Sequence, residues 1–236
     1  MSPVENLTRR WVAAWAHTRG LEVGEVAGWP KVYVASASRA TEIVCADPDG
    51  ATWAALLDQV RDDPSAMLSV VSRLRDEYDV PPDVRIDRDD ETLMVLHPET
   101  RRWERDVDLD GLDVDHERDG DRITIRLVAE ERVVAEGTVG LLGPDAAYDM
   151  VETLLACRRR GLASWVMTEL GRAAAQRGAS TGLLAATEDG AALYRSLGWV
   201  DVAPVRSVTG SPPAQRAVGS DCTSTNTSFS VGSATM

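Results

Sequence analysis

The sequence predicts an α/β (α+β) chain: a mixed, mostly antiparallel sheet flanked by helices. Three observations carry this expectation. Between Arg122 and Leu154 three strand-like runs follow one another, parted only by the turns Glu130-Glu131 and Gly143-Pro144, which reads as a meander. From Gly161 to Val208 the pattern changes to helix, strand, helix, strand. The first half has its own mixture of helical and alternating spacing, set apart by an acidic stretch.

In the first half, Leu7 to Ala16 has helical spacing, with Trp11 and Trp15 one turn apart, and Lys31 to Ala35 and Thr41 to Ala46 read as short strands. Trp53 to Val60 and Ala66 to Tyr78 again have helical spacing, stopped by Pro81-Pro82, and Glu91 to Leu96 returns to strand character. No glycine-rich phosphate turn occurs here. Residues 1–112 are thus either a degenerate copy of the second half or a separate lobe that shapes the substrate site.

The acidic stretch Asp106 to Asp121 satisfies the calcium-loop pattern at Asp106, Asp108, Asp110, Gly111 and Glu117. Its context argues against a metal. A calcium loop needs flanking helices, and this one runs into the strand-like Arg122 to Leu127. Val107, Leu109, Leu112 and Val114 alternate with the aspartates, which fits half-buried strands around an Asp-Gly turn with carboxylates in water.

In the second half the strands are Arg122 to Val128, Arg132 to Leu142 and Ala146 to Leu154. A helix opening at Gly161 gathers Leu162, Trp165, Val166, Leu170, Ala173 and Ala174 on one face and closes at Gly178. The strand Thr181 to Ala186, the helix Asp189 to Leu197 and a last strand from Trp199 to Val208 follow. Thr209 to Met236 is rich in Ser, Thr and Gly, with little to bury, and reads as a disordered tail. The expected division is therefore 1–112, 113–208 and 209–236.

Between strand and helix stands Arg158-Arg159-Arg160-Gly161-Leu162-Ala163. A glycine lets backbone approach an anion, and the helix behind it offers unpaired N–H groups and the positive end of its dipole. That combination reads as a diphosphate site. It matters in a chain of net charge −13, whose surface repels nucleic acid and supplies little positive charge elsewhere. The same acidity draws amines.

Other chemistries lack their residues. Lys31, the one lysine, stands in no nucleotide-binding P-loop pattern, and His17, His97 and His116 show no metal-ligand spacing, so no metal is expected. Cys157 has no identifiable histidine partner for nucleophilic work. Three cysteines far apart suit a reduced protein, the first ten residues have no apolar signal core, and no segment has the length of a membrane span. A cytoplasmic location, no membrane partner and no nucleic-acid partner are expected. A homodimer is left open.

The order meander, arginine-glycine turn, long helix, strand and short helix ending Leu193-Tyr194-Arg195-Ser196-Leu197-Gly198-Trp199 resembles the GNAT-type acyl-CoA N-acyltransferases. The turn of that family is [Q/R]-x-x-G-x-[G/A], matched by Arg158, Gly161 and Ala163, and its later helix is matched by Leu193, Tyr194, Leu197, Gly198 and Trp199. The resemblance covers Arg122 to about Val208. It departs at Leu155, where many relatives have proline, at Ala163, where many have glycine, and at Thr187, where many have asparagine.

The resemblance implies central strands that splay apart around acetyl-CoA as co-substrate. Pantetheine would pair with backbone near Val151, Thr153 and Leu155, and diphosphate would lie on Arg158, Arg159, Arg160, Gly161, Leu162 and Ala163. It implies an N-acetyltransferase that moves an acetyl group to a primary amine of a small molecule or peptide by direct attack on the thioester. The alternative is an inactive acyl-CoA-binding sensor or docking module. Amine acylation needs a neutral amine, a group to take its proton and one to stabilise the leaving thiolate. Tyr194 matches the family's acid. Its ordinary phenol, near pKa 10, would protonate a thiolate near 8.5 without an extreme shift. Asp149 and Glu152 are the candidate bases, and strand alternation would put them on opposite faces, so that one of them at most looks into a given cleft.

Overall fold

The computed structural model describes residues 1–97 and 107–210. Its elements in chain order are α1 (Pro3–Arg19), β1 (Val23–Val26), β2 (Trp29–Tyr33), β3 (Thr41–Ala46), α2 (Gly50–Asp62), β4 (Ala66–Val71), β5 (Val84–Leu96), β6 (Asp113–Asp119), β7 (Arg122–Ala129), β8 (Arg132–Leu142), β9 (Asp145–Thr153), α3 (Leu162–Gln176), β10 (Thr181–Thr187), α4 (Glu188–Ser196) and β11 (Val200–Gly210). All the strands join one sheet in the order β1-β2-β3-β4-β11-β5-β10-β9-β8-β7-β6. Neighbours are antiparallel except β3–β4 and β9–β10. The expected mixed, mostly antiparallel sheet flanked by helices is the observed one.

The two halves trace the same path. In each, an antiparallel pair leads through a crossover helix to a parallel strand: β2-β3-α2-β4 in the first, β8-β9-α3-β10 in the second. The final strand of each half then leaves its own half. β5 pairs with β10, β11 pairs with β4, and the two pair with each other at the centre of the sheet.

Helix α1 starts at Ser2, whose hydroxyl accepts the Glu5 N–H, and its apolar face carries Trp11 and Trp15, stacked 6.1 Å apart. It touches β2 and β3 as well as β8 and β9, strands five or more places apart in the order, so the sheet curls round it. Gly140 on β8 makes this approach possible, since a Cβ there would overlap Thr18 Oγ1. One core gathers α1, α2, β2 to β4 and β11, a second gathers α3, α4 and β7 to β10, and β5 contributes to both. No helix among the described residues is long and apolar enough to cross a membrane.

Several expectations are corrected. Ala66 to Tyr78 is no helix: Ala66–Val71 is β4, buried at every position, and only a short 3₁₀ turn follows at Arg75–Glu77. A central strand covered on both faces has no alternation, and Met67, Val70, Val71 and Leu74 imitate a helical stripe. β1 was not expected, since it is only four residues long and has no buried position. The acidic stretch yields β6, exposed at every residue rather than half buried, because it is the edge strand and neither face is covered. Glu117 lies within β6, paired with Arg126 at 2.7 Å, and not in a loop. Asp106 lies outside the described residues, as does residues 211–236 of the expected tail; Thr209 and Gly210 belong to β11, where Thr209 is buried.

Candidate active site

β9 and β10 run side by side only from Asp145 to Ala147 and from Thr181 to Leu183. Beyond those pairs they part. The β9 edge from Tyr148 onward has no strand beside it, so its peptide groups face a cleft of about 1010 Å³. Val151, Glu152, Thr153 and Leu155 line one wall, Arg158, Arg159, Gly161, Leu162 and Ala163 the mouth, and Thr187, Gly190 and Tyr194 the other wall.

The mouth has the character of an anion site. Leu154 N–H bonds to Val134 O, a 3₁₀ turn covers Leu155–Cys157, Arg159 and Gly161 both take left-handed backbone (φ +65° and +82°), and α3 starts at once. No side chain caps α3 and no acidic residue stands in its first turn, so the amides of Leu162, Ala163 and Ser164 remain free. The other three α-helices among the described residues are capped by Ser2, Asp49 and Thr187. The corresponding crossover of the first half lacks both features: Asp49 accepts the Thr52 N–H at the start of α2, and β3 and β4 stay paired from end to end.

The arginines divide. Arg158 folds back, its Nε donating to Thr153 O at 3.2 Å, and Arg159 lines the mouth. Arg160 is exposed and is not among the lining residues. Thr153 Oγ1 is enclosed at the end of β9 without a hydrogen-bond partner among the described residues.

Tyr194 stands 9% exposed on α4, its ring 6.0 Å from Trp199. Gly190 makes room for it, since a Cβ there would come within 3.3 Å of Tyr194 Cε2. No described residue hydrogen-bonds its hydroxyl. Burial, with the negative charge of Asp149 adding to it, pushes this phenol up to about 12. It is therefore a weaker acid than the unperturbed phenol expected from sequence. It keeps its proton at neutral pH, and handing it fully to a thiolate near 8.5 would cost about 5 kcal/mol. Donating a hydrogen bond to developing negative charge is the chemistry it can offer.

Asp149 and Glu152 are not separated by alternation. Glu152 pairs across with Glu136 and Asp149 with Thr138, so the two β9 residues spaced by three face two β8 residues spaced by two. The extra residue is a β-bulge at Met150, φ +52°, and it returns both carboxylates to one face, that of α1. Their surroundings then differ. Arg19, the last residue of α1, donates Nη2–H to Asp149 Oδ1 at 2.9 Å and pairs through Nε with Oδ2, while Met150 N–H donates to Oδ1 at 2.8 Å. Asp149 is thus committed within the fold and is absent from the cleft lining. Glu152 is exposed and lines the cleft, and its carboxylate has no hydrogen bond or ion pair among the described residues.

The fold that frames this cleft is shared by solved structures. A GCN5-related N-acetyltransferase from Kribbella flavida superposes with a TM-score of 0.67 over 90% of this chain and 97% of its own, at 12% identity. The chain has the GNAT fold. A protein from Novosphingobium aromaticivorans assigned to the GNAT family matches with a TM-score of 0.59 over 90% of this chain and all of its own, at 15% identity. A tandem GNAT protein from the clavulanic acid biosynthesis pathway matches with a TM-score of 0.52 over 78% of this chain and 79% of its own, at 12% identity. No family model and no curated protein matches the sequence.

Sequence reasoning had no view of Arg19, Glu136 or Ser164. Arg19 meets Asp149 across 130 positions and Glu136 meets Glu152 only through strand register, and neither relation leaves a local pattern. Ser164 could have been found, since the third residue of an uncapped helix always offers a free amide.

Proposed function

We propose that this chain is an acetyl-CoA-dependent N-acetyltransferase acting on a primary amine of a small molecule or peptide. The observation that carries the reading is the uncapped start of α3 behind Gly161, opening on the cleft where β9 and β10 part. Free amides, a helix dipole and Arg159 suit a diphosphate, and the unpaired β9 edge suits an amide-bearing pantetheine arm. The residues present fit the co-substrate. Leu155, 80% exposed, gives that arm an apolar neighbour.

On the far wall, Tyr194 donates its hydroxyl hydrogen toward sulfur as the C–S bond breaks, and Glu152 either takes the proton of the attacking amine or holds an ammonium group beside it. Asp149, neutralised by Arg19, steadies the bulge that presents Glu152. Titrating coenzyme A by calorimetry and following thiol release from acetyl-CoA with an amine panel tests the reading. Binding with turnover that drops in Tyr194→Phe supports it. Binding without thiol release for any amine would favour an acyl-CoA sensor instead.

A further inference from the structure

We infer that the acceptor is an aliphatic di- or polyamine whose outer ammonium groups lie along a mainly acidic row that crosses four strands, with carboxylates on three of them and Arg126 on the fourth, and ends in the cleft. This rests on the acyltransferase reading and adds the chemical class of the acceptor. The row is set by register: Asp115 on β6 faces Arg126 on β7, Arg126 faces Glu136 on β8, and Glu136 faces Glu152 on β9. Directly opposed residues share a face of the sheet and strands lie about 4.8 Å apart, so the row runs roughly 14 Å from the sheet edge to the cleft wall.

Its charge is unbalanced. Among the described residues Arg126 is the one cation in the row itself, held by Glu117 at 2.7 Å, Asp115 at 3.2 Å and Glu136 at 3.4 Å, while Arg158 and Arg159 stand at the mouth of the cleft. Four carboxylates against one guanidinium leave three negative charges. Glu136 and Glu152 oppose each other directly, a repulsive pairing that a strand pair gains nothing by keeping unless a cation enters between them. Both line the cleft. Helix α1 covers this face at Gly140 and Asp149, through Thr18 and Arg19, and Asp115 and Glu152 remain exposed beyond it.

Independently of the carboxylates, the Tyr194 phenol, nine-tenths buried and without a hydrogen-bond partner among the described residues, faces the same cleft. An amine at that wall would have its neighbouring cation at Glu152 and Glu136. Amines separated by three or four methylenes are roughly 5–6 Å apart, close to the strand spacing along the row. Cationic side chains on one face of an extended peptide are about 7 Å apart and fit it less well. In the reaction, the terminal ammonium gives one proton to solvent, its nitrogen forms the C–N bond as the thioester C–S bond breaks, and the thiolate takes up a proton. Amide and free thiol leave, with one proton released overall.

The test uses the full chain. Calorimetry with coenzyme A comes first, then thiol release from acetyl-CoA with 1,4-diaminobutane, spermidine, 1-aminobutane and a short lysine-containing peptide. The expected result is a kcat/KM at least tenfold higher for the diamine than for the monoamine, weakened by salt. Glu136→Gln is expected to raise the diamine KM about three- to fivefold, more than it raises that of the monoamine. Arg126→Gln makes the row more negative and should move the diamine KM the opposite way, a reversal that a merely damaged fold would not produce. Equal diamine and monoamine rates in a coenzyme-binding protein would overturn the inference, and so would turnover of the peptide alone. Failure to bind coenzyme A is a separate outcome that overturns the acyltransferase reading beneath it.

Discussion

Replacing Gly161 by alanine and by aspartate separates the backbone role of this residue from its role toward an anion. Its φ of +82° is left-handed, and a Cβ there would meet Val107 alone, Cγ2 at 3.4 Å and Cγ1 at 3.6 Å, ordinary contacts. Gly161→Ala therefore costs the conformational penalty alone, about 1–2 kcal/mol, or roughly 2–8 °C in Tm for a chain of this size. Gly161→Asp carries the same penalty and adds a carboxylate at the free amides of α3. Two unit charges 5 Å apart repel by about 3 kcal/mol at an effective dielectric of 20. Screening at the open mouth reduces this to roughly 1.5–2 kcal/mol, and the new carboxylate also caps amides that a diphosphate would use. The aspartate variant should thus bind coenzyme A at least about tenfold more weakly than the alanine variant while melting close to it. Calorimetry and thermal melts on the same samples give both numbers. If the two variants bind coenzyme A within twofold of each other, the turn is not the diphosphate site.

Tyr194→Phe should keep coenzyme A affinity, because the hydroxyl has no partner in the fold, and lower kcat by about ten- to a hundredfold in the thiol-release assay. An unchanged kcat would remove Tyr194 from the chemistry. The raised phenol also links stability to pH: its folded value, about 12, exceeds the unfolded value near 10, so its contribution is complete below about pH 10 and is lost as pH climbs toward 12. Urea melts at pH 9, 10 and 11 should show stability falling across this window, less steeply in Tyr194→Phe, and equal slopes would refute the linkage. Tyr148→Phe removes a buried hydroxyl that has no partner, so its unfolding free energy at pH 7 should be unchanged or higher by up to about 1 kcal/mol. Gly140→Ala, which drives a Cβ into Thr18 with the Thr18 Cβ only 2.6 Å away, should cost more than about 3 kcal/mol in a denaturant titration, with part recovered when Thr18→Ala is added.

The second half was readable because its signals are local. β8 has the bounds Arg132 to Leu142 that its turns announce, and α3 begins one residue after the glycine that opens it. Reading failed where the deciding relation is between distant segments. β4 takes its character from a central place in the sheet, buried at every position and flanked on one edge by β11 some 130 residues later. The bulge at Met150 was invisible too, since it is defined by what β8 places opposite it, and one inserted residue was enough to bring Asp149 and Glu152 to the same face. The arginine-glycine turn and Tyr194 could be found by spacing, whereas the carboxylate row needs three strand registers at once.

The exchange of closing strands between the halves has a consequence for synthesis. As the polypeptide emerges from the ribosome, β4 waits with an open hydrogen-bonding edge until residues 200–210 arrive to fill it. The amino-terminal half therefore cannot complete its sheet until β11 has been made, well after its own last residue. Cutting the chain between them would leave each fragment without the strand that the other one carries.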